Sequence, residues 1–250
     1  MGLSPEKELR QNWRFPTTQW SVVLAAKNRS SAEGVSALAL LCRLYWRPLY
    51  SYVRRCGHSI EDAQDLTQSY FSRLLEKDYL CRIDAERGKF RSFLLSSLKN
   101  FLANEWDRRK TQKRGGEIQF LSLEEIDDAE KSYTHFVAPA SLTPEKLYER
   151  SWALALLERV TARLATEFAE AGKMEAFEHL KVFLTGDVGD LKYADVAETL
   201  GMSEVAIRVA IHRLRGRFRD LVRVQIAQTL AHPEDPGTIE EEIRYLISAL

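Results

Sequence analysis

The 250-residue sequence has few cysteines, prolines and glycines, no long apolar run and no net charge. Each shortage excludes something. The three cysteines, Cys42, Cys56 and Cys81, stand in no CxxC pair, and the five histidines (His58, His135, His179, His212, His232) form no HxxxH or HxH pattern. No metal site is expected, and the thiols read as small buried groups in a reducing cytoplasm. No apolar run approaches the ~20 residues that span a bilayer, and residues 1–14 are too polar for a signal peptide. The expectation is a cytoplasmic chain with no membrane partner. Its 36 basic and 36 acidic residues cancel, which argues against a uniformly basic nucleic-acid coat protein and shifts attention to how charge is distributed. No P-loop, GxSxG, HExxH or GxGxxG pattern occurs. The Glu124-Glu125 pair falls in a linker candidate, where no pocket would tune a carboxylate. No catalytic residue and no cofactor are therefore expected, and the chain does not read as an enzyme.

What is present is helical periodicity. With only 12 glycines and 7 prolines, long stretches rich in Leu, Ala, Glu and Arg run unbroken and favour helix. Residues 1–17 read as a loose arm, followed by a short stripe at Val22, Val23 and Ala26. A longer stripe joins Leu38, Leu41, Leu44, Tyr45, Leu49, Tyr52 and Val53 at 3- and 4-residue steps. Arg54 and Arg55, then Gly57, read as a helix end, and Ser59 with Glu61 and Asp62 as the next start. That second helix carries Ala63, Leu66, Tyr70, Phe71, Leu74 and Leu75. A third runs from about Phe90 to Lys110, with Phe90, Phe93, Leu94, Ser97, Leu98, Phe101, Leu102 and Trp106 inward. Residues 117–149 hold eight acids against two lysines, a net of about −6, and Pro139 and Pro144 break them. Thr143-Pro144-Glu145 has the form of a helix start. One long helix follows (Leu147, Leu154, Leu157, Val160, Leu164, Phe168), then a shorter one (Phe177, Leu180, Phe183, Leu184). Two short helices split by Gly201 come next. The last is an amphipathic tail with Ile239, Ile243, Leu246, Ile247 and Leu250 on one side, expected to pack on the second domain or bind a regulator.

The sharpest local pattern is residues 193–214. Ala194, Val196, Ala197 and Leu200 face inward, Gly201 supplies a left-handed turn, and Ser203 with Glu204 starts the next helix. Ile207, Ile211, Leu214, Phe218 and Leu221 repeat at 4, 3, 4 and 3. Offset from them lie Arg208, His212, Arg213, Arg215, Arg217 and Arg219. One face anchored in a core and the other cationic and long-armed is what a major-groove helix requires. An ordinary helical hairpin with a solvated basic face is the alternative.

Residues 62–71, DAQDLTQSYF, resemble the D-A-x-D-L-x-Q-x-x-F signature of extracytoplasmic-function (ECF) sigma factors of bacterial RNA polymerase. The resemblance implies that Asp62, Asp65, Gln68 and Ser69 contact core RNA polymerase, while Leu66, Tyr70 and Phe71 turn inward. Without it, the segment is an acidic, solvated helix start. Thr67 and Ser69 are expected on this docking face, and phosphorylation there would add negative charge. Phe90, Phe93-Leu94, Asn100, Asn104 and Arg108-Arg109-Lys110 are similar to the family's promoter-melting helix, with Phe93 where Trp is usual and Asn104 where Asp often stands. Strand opening needs cations for phosphate and polar or aromatic groups for unstacked bases. The resemblance thus assigns Lys99, Asn100, Asn104, Arg108, Arg109 and Lys110 to minus-ten DNA. Trp106 sits at core-packing spacing, with base stacking as its alternative. The helix-turn-helix is similar to the family's minus-thirty-five module, which assigns Ser203, Glu204, Arg208, His212, Arg213 and Arg215 to DNA. Val209 and Ala210 depart from the serine and arginine usual there, so promoter preference does not transfer.

The expected fold is all-α: an N-terminal helical bundle and a C-terminal helix-turn-helix domain joined by an acidic linker. The segments are an arm (1–19), a polymerase-binding and promoter-melting domain (20–114), the linker (115–144), the minus-thirty-five domain (145–224) and a C-terminal extension (225–250). The implied function is a sigma factor with core RNA polymerase and promoter DNA as partners, and an anti-sigma factor or other regulator as a further candidate. A stand-alone helix-turn-helix regulator is the alternative. In the resembled family the linker threads near the polymerase active centre; a solvated tether is its other reading.

Overall fold

The computed structural model describes residues 32–74, 89–109, 129–130, 133, 142–184, 193–230 and 235–250, without the side chains of 32–38, 107–109 and 236. The arm, the Val22–Ala26 stripe, Leu75, Cys81, Lys110, Gly115-Gly116 and most of the linker lie outside the described residues. The described segments form eight α-helices: α1 (Ala32–Arg55), α2 (Ile60–Leu74), α3 (Phe90–Arg109), α4 (Pro144–Glu170), α5 (Met174–Leu180), α6 (Tyr193–Thr199), α7 (Glu204–Thr229) and α8 (Pro236–Ser248). A 3-10 turn, Lys181–Leu184, follows α5. The all-α expectation holds, and among the described residues no helix is long and apolar enough to cross a membrane.

The chain divides into two compact units. The first is Met1–Ala155 with Ile226–Leu250, and the second is Leu156–Gln225. The division falls inside α4 and α7.

In the first unit, Leu41, Tyr45, Leu49 and Val53 of α1 bury the predicted stripe. Pro48 lies within the same helix. It removes a backbone donor, yet its neighbours Leu49 and Tyr50 are fully buried, and tertiary packing outweighs the weak local propensity. At the end of α1 the Gly57 backbone takes φ +94. Its N–H returns 3.1 Å to the Arg54 carbonyl, as the Arg-Arg-x-Gly pattern implied. Ser59 caps α2, its hydroxyl accepting the Asp62 N–H at 3.1 Å. The core between α1, α2 and α3 is aromatic. Tyr45 meets Phe90 edge-on at 5.4 Å, Trp46 stacks on Phe71 at 5.7 Å and Tyr70 meets Phe101 at 5.7 Å. The buried Tyr70 hydroxyl donates to the Leu94 carbonyl at 3.1 Å and also meets Ser97, so this polar tip is satisfied. Each large side chain buried here stabilises the unit by about 1.5–3 kcal/mol before entropy is counted.

The start of α4 belongs to this unit. Thr143 caps it, Lys146 N–H reaching Thr143 Oγ1 at 3.3 Å. Tyr148 is buried and donates its hydroxyl to the Arg91 carbonyl at 2.9 Å. The tail helix α8 joins here as well. Asp235 caps it, accepting from Gly237 and Thr238 N–H. Only Leu246 of the predicted stripe is fully buried; Ile247 and Leu250 are exposed. The correction comes from Glu242, which is 1% exposed and pairs with both Lys89 and Arg91. Glu242 shares the inward side of α8 with Ile239, Ile243 and Leu246, and the tail belongs to the first unit.

In the second unit, Val160 and Leu164 of α4, Phe177 and Leu180 of α5, Val196 and Ala197 of α6, and Ile207, Ile211, Leu214 and Leu221 of α7 are buried. The second helix after Gly201 is not short: α7 has 26 residues. Its apolar 3–4 repeat continues past Leu221 to Val222 and Ile226, so nothing stops it.

Candidate nucleic-acid and docking surfaces

Ala63, Leu66, Thr67, Tyr70, Phe71 and Leu74 turn α2's apolar side inward. That leaves Asp65 and Ser69 exposed and Asp62 and Gln68 half-buried on the other side. Asp62 is also engaged locally, its carboxylate accepting from the Ser59 hydroxyl at 3.3 Å. Thr67 does not share the surface. It is fully buried, with its hydroxyl donating to the Ala63 carbonyl at 2.7 Å. Of the two hydroxyls considered for phosphorylation, only Ser69 stays accessible.

On α3, Phe90, Leu94, Ser97, Leu98 and Phe101 face the core. Lys99, Asn100 and Asn104 are exposed on the outer side. Arg108 and Arg109 lie in the last turn of α3, with their side chains outside the described set, and Lys110 lies beyond it. Trp106, expected inward, is 65% exposed. It comes five residues after Phe101, about 140° round the helix from the buried side. A cleft of about 720 Å³ opens between the α1–α2 turn and α3. Tyr52, His58, Asp62, Lys99, Glu105 and Trp106 are among its lining residues. It brings together one residue assigned to polymerase, one assigned to minus-ten DNA, and the exposed indole.

Lys99 is not bare. Its ammonium lies 2.6 Å from Glu145 Oε1 and 5.9 Å from the centre of the Tyr52 ring. The hydrogen bond from Lys99 holds the Glu145 carboxyl below its ordinary range. At the start of α3, the Arg91 guanidinium lies 4.3 Å over the Trp152 ring and 4.7 Å over the Tyr245 ring, and is 4% exposed. Burial lowers its pKa. Sequence reasoning missed Arg91 and Glu242. The available signal was Arg91 beside the apolar stripe of α3 and Glu242 at core spacing between Ile239 and Leu246, two misplaced charges of opposite sign.

The acidic stretch is not wholly a solvated tether. Ala129 is buried, and Glu130 receives the Arg54 guanidinium through two 3.1 Å bonds and the Tyr50 hydroxyl. Nor are all three thiols buried: Cys42 is, Cys56 is exposed, and Cys81 lies outside the described residues.

In the second unit, Gly201 takes φ +60 between α6 and α7, and Met202 N–H reaches the Ala197 carbonyl at 2.9 Å. Ser203 accepts the Ala206 N–H at 3.2 Å. These bonds orient the start of α7, where Ser203, Glu204, Arg208, His212, Arg213 and Arg215 are all exposed. Val205 and Val209 share that outer surface. Arg208 stacks over Tyr193 at 5.2 Å and lies 3.8 Å from Glu204. Arg215 Nε donates to the Phe183 carbonyl at 3.0 Å. Arg217 is committed elsewhere, forking onto the Glu167 carboxylate at 2.8 and 2.6 Å. Arg208, Arg213, Arg215 and Arg219 remain exposed along α7.

Residues 41–112 match the family model described as Sigma-70 region 2. The match begins inside α1 and spans all of α2 and α3. No curated protein and no solved structure gave a significant match to the chain.

Proposed function

We propose, from the premise of a sigma-70 family sigma factor whose region 2 is residues 41–112, that this chain is of the ECF type and directs core RNA polymerase to promoters with two separate helices. The family match supports a non-enzymatic role in polymerase binding and promoter recognition. The finer assignment rests on particular residues. Asp62, Asp65, Gln68 and Ser69 give α2 a polar outer side for the polymerase. Lys99, Asn100 and Asn104, continued by Arg108, Arg109 and Lys110, give α3 cations for phosphate and amides for extruded base edges. Trp106, exposed beside the cleft, is a stacking platform for an unpaired base. The start of α7, with Arg208, His212, Arg213 and Arg215 beside Ser203 and Glu204, enters the major groove at the minus-thirty-five element.

The observation that carries this reading is the coincidence of the region 2 match with helices whose outer sides hold the polar and cationic residues. A stand-alone helix-turn-helix regulator would leave that match unexplained. The chain works in the cytoplasm with its polymerase, and an anti-sigma factor would act by covering the α2 surface. The deciding experiment is run-off transcription with purified core enzyme on fragmented genomic DNA, with start sites sequenced. Starts that share upstream elements support the proposal. Failure to bind core enzyme and to start any transcript rejects it.

A further inference from the structure

Four cations inside residues 41–112 are each held by a carboxylate from outside that segment. Arg54 meets Glu130, Lys99 meets Glu145, and Lys89 and Arg91 both meet Glu242. The three acids come from three stretches of chain: the acidic linker, the first turn of α4, and α8. Lys89, Arg91 and Lys99 are the cations in and just before α3 whose side chains are described, and none faces solvent without an acid beside it.

The pairs differ in kind. Arg91 and Glu242 have side chains 5% and 1% exposed. Such burial is tolerable only because each charge compensates the other, so this pair anchors α8. Lys89 and Lys99 are 40% and 42% exposed. Their ammonium groups remain within reach of an outside ligand, but an acid already occupies the place a phosphate oxygen would take. A carboxylate at ion-pair distance cancels most of a lysine's field well within the ~8–10 Å screening length.

We infer that the start of α4 and the C-terminal helix form an acidic mask in cis over region 2, competing with nucleic-acid phosphate for Lys99 and Lys89. The inference rests on the proposed reading of α3 as a DNA-contacting helix. It adds a role for the C-terminal extension: the free chain binds nucleic acid more weakly than its exposed lysines would allow, and displacing the acids restores that affinity.

The test uses the full chain. A fluorescent single-stranded oligonucleotide of ~30 residues is titrated over a salt series with the unaltered protein, Glu145→Gln, Glu242→Gln and the double variant Glu145→Gln/Lys99→Gln. Thermal melts are recorded for each. Glu145→Gln and Glu242→Gln should each bind roughly threefold tighter or more at low salt, with a plot of log Kd against log salt steeper by about 0.7 per freed lysine. The gain in Glu145→Gln should vanish in the double variant. Should Glu242→Gln melt below the assay temperature, Glu145→Gln decides alone, because its pair is half-exposed on both sides. Equal affinity and slope in the unaltered chain and Glu145→Gln would overturn the mask while leaving DNA binding standing. No binding by any chain, even at low salt, would overturn both.

Discussion

Arg91 and Glu242 carry opposite charges into a core otherwise filled by Tyr45, Phe90, Tyr148 and Trp152. Removing Glu242 leaves Arg91 buried and uncompensated, a loss of about 3–5 kcal/mol, whereas removing Arg91 leaves Glu242 still paired with Lys89. The thiols show environment acting on chemistry at the same scale. Burial pushes the Cys42 thiol up to about 12, whereas Cys56 is exposed and its thiol is raised to a lesser degree by partial desolvation. Iodoacetamide at pH 8 should therefore label Cys56 in the folded chain and reach Cys42 only after denaturation. Peptide mapping by mass spectrometry reads this directly, and equal labelling rates would contradict the buried placement. For Arg208, exposed at the fifth residue of α7, truncation should act on recognition rather than folding. Arg208→Ala should cost ~1–3 kcal/mol on specific promoter sites and flatten sequence preference, with an unchanged melting temperature. Unaltered promoter choice in a selection from random duplexes would remove Arg208 as a base reader.

Helix ends and inter-helix pairs decide how α6 and α7 are presented. Gly201 occupies the left-handed region with nothing within 4 Å of where a Cβ would lie. Gly201→Ala should therefore lose about 1 kcal/mol through backbone conformation alone, and Gly201→Asn should lose less. Equal losses measured by urea unfolding would point to packing instead. Farther along α7, the Arg217 fork on Glu167 joins it to α4, and that hydrogen bonding holds the Glu167 carboxyl below its ordinary pKa. With the folded pKa below the unfolded one, the pair's stabilisation is present above the usual carboxylate range. It is lost as pH falls through the lowered value. Glu167→Gln should destabilise by about 1 kcal/mol or less at pH 7, and the difference from the unaltered chain should shrink toward zero under acid. A gap independent of pH would show that the carboxylate charge plays no part.

Over the whole molecule, polymerase docking and promoter reading are assigned to different helices, so they should separate by mutation. Asp65 is exposed on α2 and lies apart from the α7 surface in sequence and unit. Asp65→Ala should weaken core-enzyme binding about tenfold, the size of one charge-assisted hydrogen bond, and leave the full chain's affinity for minus-thirty-five duplex unchanged. Parallel loss of both would reject the division of labour.

Sequence alone determined the buried stripes from Leu41 to Val53 and from Ile207 to Leu221, because periodic burial and capping are local. Ser59, Thr143 and Ser203 could be named as caps for the same reason: a cap reaches a backbone N–H only a few residues ahead. Only the tertiary structure decided that Trp106 turns outward, that Thr67 is sealed, that Glu130 grips Arg54 and that Glu242 seats the tail on Arg91. Those outcomes depend on which distant segment arrives to cover a given side chain, and desolvation and charge pairing across 76 to 153 residues leave no periodic trace in the chain.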